Sequence, residues 1–408
     1  MVRRSDSMLR LSKESTKDLK EGLGSLFLCN VGDYVSGIFL HIFRPVIEKA
    51  PIILALLPAA SDARGDVYSS YGSRLGTLLH LGLFDKHYRR ELETLLVLLI
   101  GVNTWVGILV AVLGLLLGHS MPVIDVVFLA LSSALISAAF MVPATTLLAL
   151  KSFEKGIDPD NMVAPIATLF GDLVTIPSIV LGYEIETRIP STTKLVIVSA
   201  LLLLLAALII RIYMLRARKE PRYRRAARII RENFSIIMAS TLLSGLAGAF
   251  LLDNMTRLMA WSGILVVVPA FLEDGGAIAC RFSSRLATKL HLGSIEPSCS
   301  RPSSWVLEQF IVNMVHSLMI FTSLGILGAG TAVLSAAPLA WALRVFLSIL
   351  LAGLVLSAVV SGITYCLAIG SFRYGLDPDN VLAPLLTSIA DILGVMSLVG
   401  FTLLVARL

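Results

Sequence analysis

Gly156–Asp172 reads GIDPDNMVAPIATLFGD, and Gly375–Asp391 reads GLDPDNVLAPLLTSIAD. Nine of these 17 positions are identical at an offset of 219 residues. A second pair of blocks lies upstream. Tyr68–Gly82 reads YSSYGSRLGTLLHLG and Ala279–Gly293 reads ACRFSSRLATKLHLG, with eight of 15 positions identical at an offset of 211. Each of these blocks starts ten residues after a matching proline, Pro58 or Pro269. Two blocks that recur in the same order identify an internal duplication.

Composition says what is duplicated. Of 408 residues, 56% are hydrophobic and 15% are charged, and the mean hydropathy is +0.84. Soluble domains carry about 25% charged residues, so this chain has too few to cover a water-facing surface. Disorder is excluded by the same numbers. What remains is an all-α polytopic membrane protein. The net charge of +6 does not imply a nucleic-acid partner, because in a membrane protein the position of the charges matters more than their sum. Cys29, Cys280, Cys299 and Cys366 form no CxxC pair and no metal spacing, and read as small apolar packing residues. The polar, basic start of the chain lacks the apolar core of a signal peptide.

A crossing helix needs about 20 apolar residues. Eleven candidate spans meet this, at 24–43, 50–84, 92–118, 122–150, 160–182, 193–215, 232–251, 259–293, 305–334, 338–368 and 379–406. The second and eighth turn polar in their second halves, and are read either as long helices or as helices broken near Gly65 and Gly275–Gly276. With the N-terminus inside, cytosolic segments hold 22 of the 34 basic residues and outer segments hold six. This predicts a cytosolic N-terminus and an outer C-terminus in a multi-pass cell-membrane protein. The run RIYMLRARKEPRYRRAARIIR is the strongest anchor, and is suited to meet anionic membrane lipid.

The chain is accordingly divided into a cytosolic tail (1–23), a first repeat (24–183), a connector helix with a basic linker (184–231) and a second repeat (232–408). Each repeat holds five spans. The connector returns the chain to the cytosol, so the two repeats are expected to be parallel and related by a pseudo-two-fold axis along the membrane normal.

Within this frame, ionisable residues in the membrane mark function, since each costs roughly 2.5–3.5 kcal/mol on insertion scales. Asp172 lies 12 residues past Asp160, about 18 Å along a helix, which is near mid-membrane. Asp391 is its equivalent. Two carboxylates brought to a common axis repel, and a divalent cation between them removes that cost. Oxygen ligands with water favour Mg²⁺. Thr168 and Thr387, one turn earlier, could supply a hydroxyl or a backbone carbonyl. Asp62 and Asp66, then Glu273 and Asp274, stand at the apolar-to-polar switch and are candidates to line the pathway. Asp33 aligns with Ser244 and is a candidate for a water-filled mouth or a coupling ion. The DPDN motifs, with Asn161 and Asn380, suit helix N-termini, with a cation-attracting vestibule as the functional alternative. His80, His291, Arg74 and Arg285 read as structural.

The DPDNxxxPxxTxxxD pattern, and a proline followed by a Gly-rich acidic stretch and SRLxT, resemble the membrane domain of MgtE-type magnesium transporters. Tandem repeats joined by one extra helix resemble the solute carrier family 41 branch. The resemblance covers about 24–406. It implies a divalent-cation pathway between two five-helix units, with Asp172 and Asp391 at the central ion site. One chain then supplies both halves, as a monomeric internal pseudo-dimer or within a higher homo-oligomer. The Gly-Asn pair usual in the second span stands here as Gly65-Asp66 and Gly276-Ala277. The family's soluble Mg²⁺-sensing domains have no counterpart in the short tail, so gating is expected to be intrinsic or supplied by a separate regulatory chain.

The principal reading is a Mg²⁺ channel or transporter, not an enzyme. The alternative is a Na⁺- or H⁺-coupled Mg²⁺ exchanger. EDGGAIACR partly resembles the DGxxAR of phosphatidyl-alcohol transferases, but no GxxxDxxxD follows Arg281, which leaves a membrane enzyme as a remote alternative.

Overall fold

The computed structural model describes residues 12–119, 121–155, 159–217, 221–261, 263–296, 298, 302–374 and 378–407. The described residues form thirteen helices and no strand. In chain order these are α1 (Lys13–Ile42), α2 (Arg44–Lys49), α3 (Ile52–His80), α4 (Phe84–Leu116), α5 (Val123–Glu154), α6 (Pro159–Arg188), α7 (Ser191–Ala217), α8 (Pro221–Asp253), α9 (Met255–Met259), α10 (Ile264–His291), α11 (Ser304–Leu334), α12 (Leu339–Arg373) and α13 (Pro378–Val405).

The eleven segments read from hydropathy each fall on one long helix, the shortest being the 27-residue α7. At 1.5 Å per residue it is about 40 Å long, more than the hydrocarbon thickness of about 30 Å. By length and composition, seven of the described helices are apolar enough to cross a membrane: α4, α5, α7, α8, α11, α12 and α13. Of the others, α3 and α10 carry charges in their middles. Both run unbroken through Gly65 and through Gly275–Gly276, so the broken-helix alternative does not apply. Each does contain the matching interior proline, Pro58 or Pro269.

The helices sort into two compact units. A continuous unit spans Ile38–Thr256, and a split unit joins Met1–Gly37 to Arg257–Leu408. In the continuous unit α3 packs on α4, α5 and α6, and α5 also packs on α4 and α6. In the split unit α10 packs on α11, α12 and α13, and α12 also packs on α11 and α13. The neighbours correspond helix by helix. Side chains repeat as well. His80 meets Phe153 edge-on at 5.3 Å, and His291 meets Phe372 edge-on at 5.4 Å, which is the packing role read for both histidines.

The first helix of each repeat packs with the other repeat. α8 lies on α3 and α4, while α1 belongs to the split unit and meets α10 and α11. Matched glycines make both crossings. A Cβ on Gly37 would strike the Val266 carbonyl oxygen, and a Cβ on Gly248 would strike the Ala55 carbonyl oxygen. Both pairs are related by 211 residues, so one close backbone crossing occurs twice.

α1 also starts earlier than its apolar stretch. Polar contacts extend it into the basic tail. Ser15 Oγ donates to Glu308 at 2.7 Å, Gln309 Nε2 donates to Asp18 at 3.1 Å, and Arg285 pairs with Asp18. Arg74 pairs with Glu91 at 2.9 Å. Both arginines therefore bridge helices. The connector α7 is the most apolar helix and mostly exposed, as a lipid-facing helix should be. Its buried Lys194 donates to Asp125 at 2.9 Å and pairs with Glu186, which ties its start to α5 and α6.

The glycine crossings make a direct prediction. Gly37→Val and Gly248→Val force backbone apart, and overpacking costs about 1–3 kcal/mol or more. Both variants are expected to lose monodisperse protein and to melt earlier in detergent. Gly330→Ala, where an added Cβ meets nothing within 4 Å, should elute and melt as the parent does.

Candidate cation site

Asp172 is the fourteenth residue of α6, and Asp391 is the fourteenth of α13. Each therefore sits about midway along a helix long enough to span the membrane. They are 7% and 6% exposed. Pro159 and Pro378 of the DPDN motifs are helical in α6 and α13, and the residues just before them lie outside the described ones. The side chains of Asn161, Thr168 and Asn380 lie outside the described residues.

In the continuous unit, α3 supplies what surrounds Asp172. Ser61 Oγ donates to Asp172 Oδ1 at 2.5 Å. Arg64, one turn along the same face, donates from Nη1 to the Thr175 carbonyl at 3.1 Å and from Nη2 to Ser133 Oγ at 2.9 Å. It lies close enough to Asp172 to feel its charge. Sequence reading does not single out Arg64. A buried arginine within electrostatic range of Asp172 is what it misses. Aligning the repeats at offset 211 sets Arg64 opposite Gly275, and that mismatch was the available signal.

Asp62 and Asp66 point the other way, to the exchanged helix α8. Ser244 Oγ donates to Asp62, and Ser240 Oγ donates to Asp66 at 3.3 Å. The split unit repeats this with different chemistry. From α1, Asn30 Nδ2 donates to Asp274 Oδ2 at 2.5 Å, and Ser323 Oγ in turn donates to Asn30 Oδ1 at 3.3 Å. Asp33 lies within electrostatic range of Glu273 and Asp274. Asp274 is 1% exposed, and its Oδ1 has no hydrogen-bond partner among the described residues.

Around Asp391, α10 and α13 approach closely. A Cβ on Gly276 would lie 3.3 Å from Thr387 Cα, and one on Gly275 would lie 3.7 Å from Ala390 Cβ. Thr387 Oγ1 donates to the Pro384 carbonyl at 3.0 Å, leaving its oxygen lone pairs as acceptors. Among the described residues, no three His, Cys, Asp or Glu side chains form a group that could hold a metal. The chemistry on offer is single buried carboxylates flanked by hydroxyls and backbone oxygens. Such a set presents oxygen to a hydrated hard cation.

Fold and site together define a multi-pass helical membrane protein with duplicated buried carboxylates. The sequence model of the MgtE family, described as divalent cation transporter, matches residues 57–182 and 268–401. The chain belongs to that family. Solute carrier family 41 member 2 of Mus musculus is 26% identical over 423 residues, covering 94% of this chain and 70% of its own length. Member 3 of Mus musculus is 26% identical over 399 residues, covering 90% of this chain and 78% of its own. Member 2 of Homo sapiens is 25% identical over 423 residues, with coverage of 94% and 70%. No solved structure matches.

The hydrogen bonds from the exchanged helices are testable. Asn30→Leu removes the donor from a fully buried carboxylate, and a buried charged group left unsatisfied costs about 1–3 kcal/mol or more. Ser240→Ala removes a longer bond to the half-buried Asp66. Melting in detergent should therefore fall further for Asn30→Leu than for Ser240→Ala.

Proposed function

We propose that this divalent cation transporter moves Mg²⁺, with Asp172 and Asp391 as the carboxylate ligands of the ion in transit. The observation that carries the reading is the pair of buried, mid-helix aspartates at equivalent positions of the duplication. Mg²⁺ takes oxygen ligands, keeps several waters and needs only one or two carboxylates. No soft ligand stands beside either aspartate in sequence, so the donor set does not select zinc or copper. In this reading Thr387, one turn before Asp391, offers its hydroxyl oxygen to the ion's waters. Asp62, Asp66, Glu273 and Asp274 set the field along the route, each group on the long helix that packs against an aspartate-bearing one.

The membrane arrangement we infer has eleven spans, a cytosolic N-terminus and an outer C-terminus. Eleven long helices and the skew of basic residues support it. One chain supplies both halves of the pathway, with membrane lipid around it, and gating resides in this chain or in a separate regulatory one. A second reading, exchange against Na⁺ or H⁺, is favoured by one observation: Asp33 lies within electrostatic range of Glu273 and Asp274 in the split unit. These are acidic groups additional to the aspartate pair.

Asp172→Ala and Asp391→Ala should each abolish most Mg²⁺ uptake into proteoliposomes while the protein still elutes as the parent does. Parental flux from both variants would refute the ligand assignment. Uptake that stops when the Na⁺ or proton gradient is collapsed at clamped voltage selects the exchanger, and ohmic single-channel currents select the channel.

Reporters fused to the two ends test the topology. An odd span count places them on opposite sides, so protease added outside intact cells should remove only the C-terminal reporter. Removal of both, or of neither, rejects eleven spans.

A further inference from the structure

Arg64 has no part in the reading above, yet it is one of the largest fully buried side chains, at 1% exposure. A guanidinium stays charged at any relevant pH, and an unmatched one inside a membrane is costly. Its hydrogen bonds run to the Thr175 carbonyl and to Ser133 Oγ, while Nε has no partner among the described residues.

Long side chains on a helix lean toward the N-terminus of their own helix. That lean carries the guanidinium from the level of residue 64 back to that of Ser61, whose hydroxyl holds Asp172. Thr175, which Arg64 reaches, is three residues past Asp172 on the same face of α6. The positive charge thus lies in the layer of the aspartate. Its surroundings are a carbonyl oxygen, a hydroxyl and a nearby carboxylate. These are the ligand types that a hard cation takes.

The second repeat has nothing like it. Arg64 corresponds to Gly275 at offset 211, and Ser133 and Thr175 correspond to Ala352 and Gly394 at offset 219. All three partners of the arrangement are replaced together. A Cβ on Gly275 would already lie 2.7 Å from Leu356 Cδ2. The split unit closes helix on helix where the continuous unit houses a guanidinium.

We infer that Arg64 is a tethered cation that compensates Asp172 and thereby sets how weakly the transported divalent ion is held. The inference rests on the reading that Asp172 and Asp391 are ion ligands. Asp172 by itself offers the ion one formal negative charge, and with Arg64 in electrostatic range that charge is formally cancelled within the continuous unit. Conduction needs a site that the ion can leave as well as enter, and a fixed positive charge shortens the stay.

The test is Mg²⁺ uptake by proteoliposomes across a range of Mg²⁺ concentrations. Arg64→Gln removes the charge but keeps an amide that can donate to Thr175 and Ser133, and Arg64→Met removes both. Either neutral variant should lower KM for Mg²⁺ on the order of tenfold, the size of a charge removed at close range, with Vmax unchanged or reduced. Arg64→Lys should keep KM within about twofold, because the charge remains. The Mg²⁺ concentration that half-protects detergent-solubilised protein against heat should move in the same order. An unchanged or raised KM in a folded Arg64→Gln protein means that Arg64 only packs, and overturns the inference even where Asp391→Asn is inactive. Parental flux from both Asp172→Asn and Asp391→Asn overturns the ligand reading itself, and this inference with it.

Discussion

A charge inside a membrane must be compensated by the helices around it, and the arrangement of this protein follows from that constraint. Each mid-helix charged residue costs roughly 2.5–3.5 kcal/mol to insert. α3 carries Asp62, Arg64 and Asp66 within two turns, and α10 carries Glu273 and Asp274. Neither helix could lie against lipid along its charged faces. α6 and α5 take up Arg64 through Thr175 and Ser133, while α8 takes up Asp62 and Asp66 through two serines. In the split unit the same duty falls to α1, through Asn30. The exchanged first helices are therefore more than packing partners. They carry the hydrogen-bond donors that the second-span acids require, and the tight glycine crossings hold them in register.

The elements and the mid-helix positions of Asp172 and Asp391 were legible in the sequence because both depend on local order. Hydropathy over about 20 residues locates a helix, and a repeat at fixed offset locates equivalent positions. The exchange of α1 and α8 was not legible, because it concerns which distant segments touch. Gly37 and Gly248 are equivalent by sequence, but nothing local says that each abuts the other repeat. The early start of α1 was hidden for a similar reason. Its first turns are polar, and they are held by Glu308, Gln309 and Arg285, more than 260 positions away in the chain. Arg64 was passed over because it stands between Asp62 and Asp66, and nothing local says that it turns to α5 and α6 while they turn to α8.

What the duplication keeps and what it changes are informative together. It keeps backbone crossings and ring packing: Gly37 with Gly248, and His80–Phe153 with His291–Phe372. It changes the polar groups on the first- and second-span helices. Ser61 becomes Leu272, Arg64 becomes Gly275, Asp66 becomes Ala277, and Asp33 becomes Ser244. Packing is conserved because both units must bury the same helix faces at interior density. The electrostatics are under no such symmetry.

Two identical chains cannot divide labour in this way, since every change appears in both. A fused duplication can. Among the groups discussed, the continuous unit brings Asp62, Asp66 and Asp172 against Arg64, a formal charge of −2. The split unit brings Asp33, Glu273, Asp274 and Asp391 with no arginine at the matching position, a formal charge of −4. Even where protonation reduces both totals, the guanidinium leaves them unequal. A divalent ion feels twice the force that a monovalent one does, so it is the species most sensitive to that inequality. One strongly acidic unit and one compensated unit are an asymmetry that a symmetric dimer of one repeat could not encode.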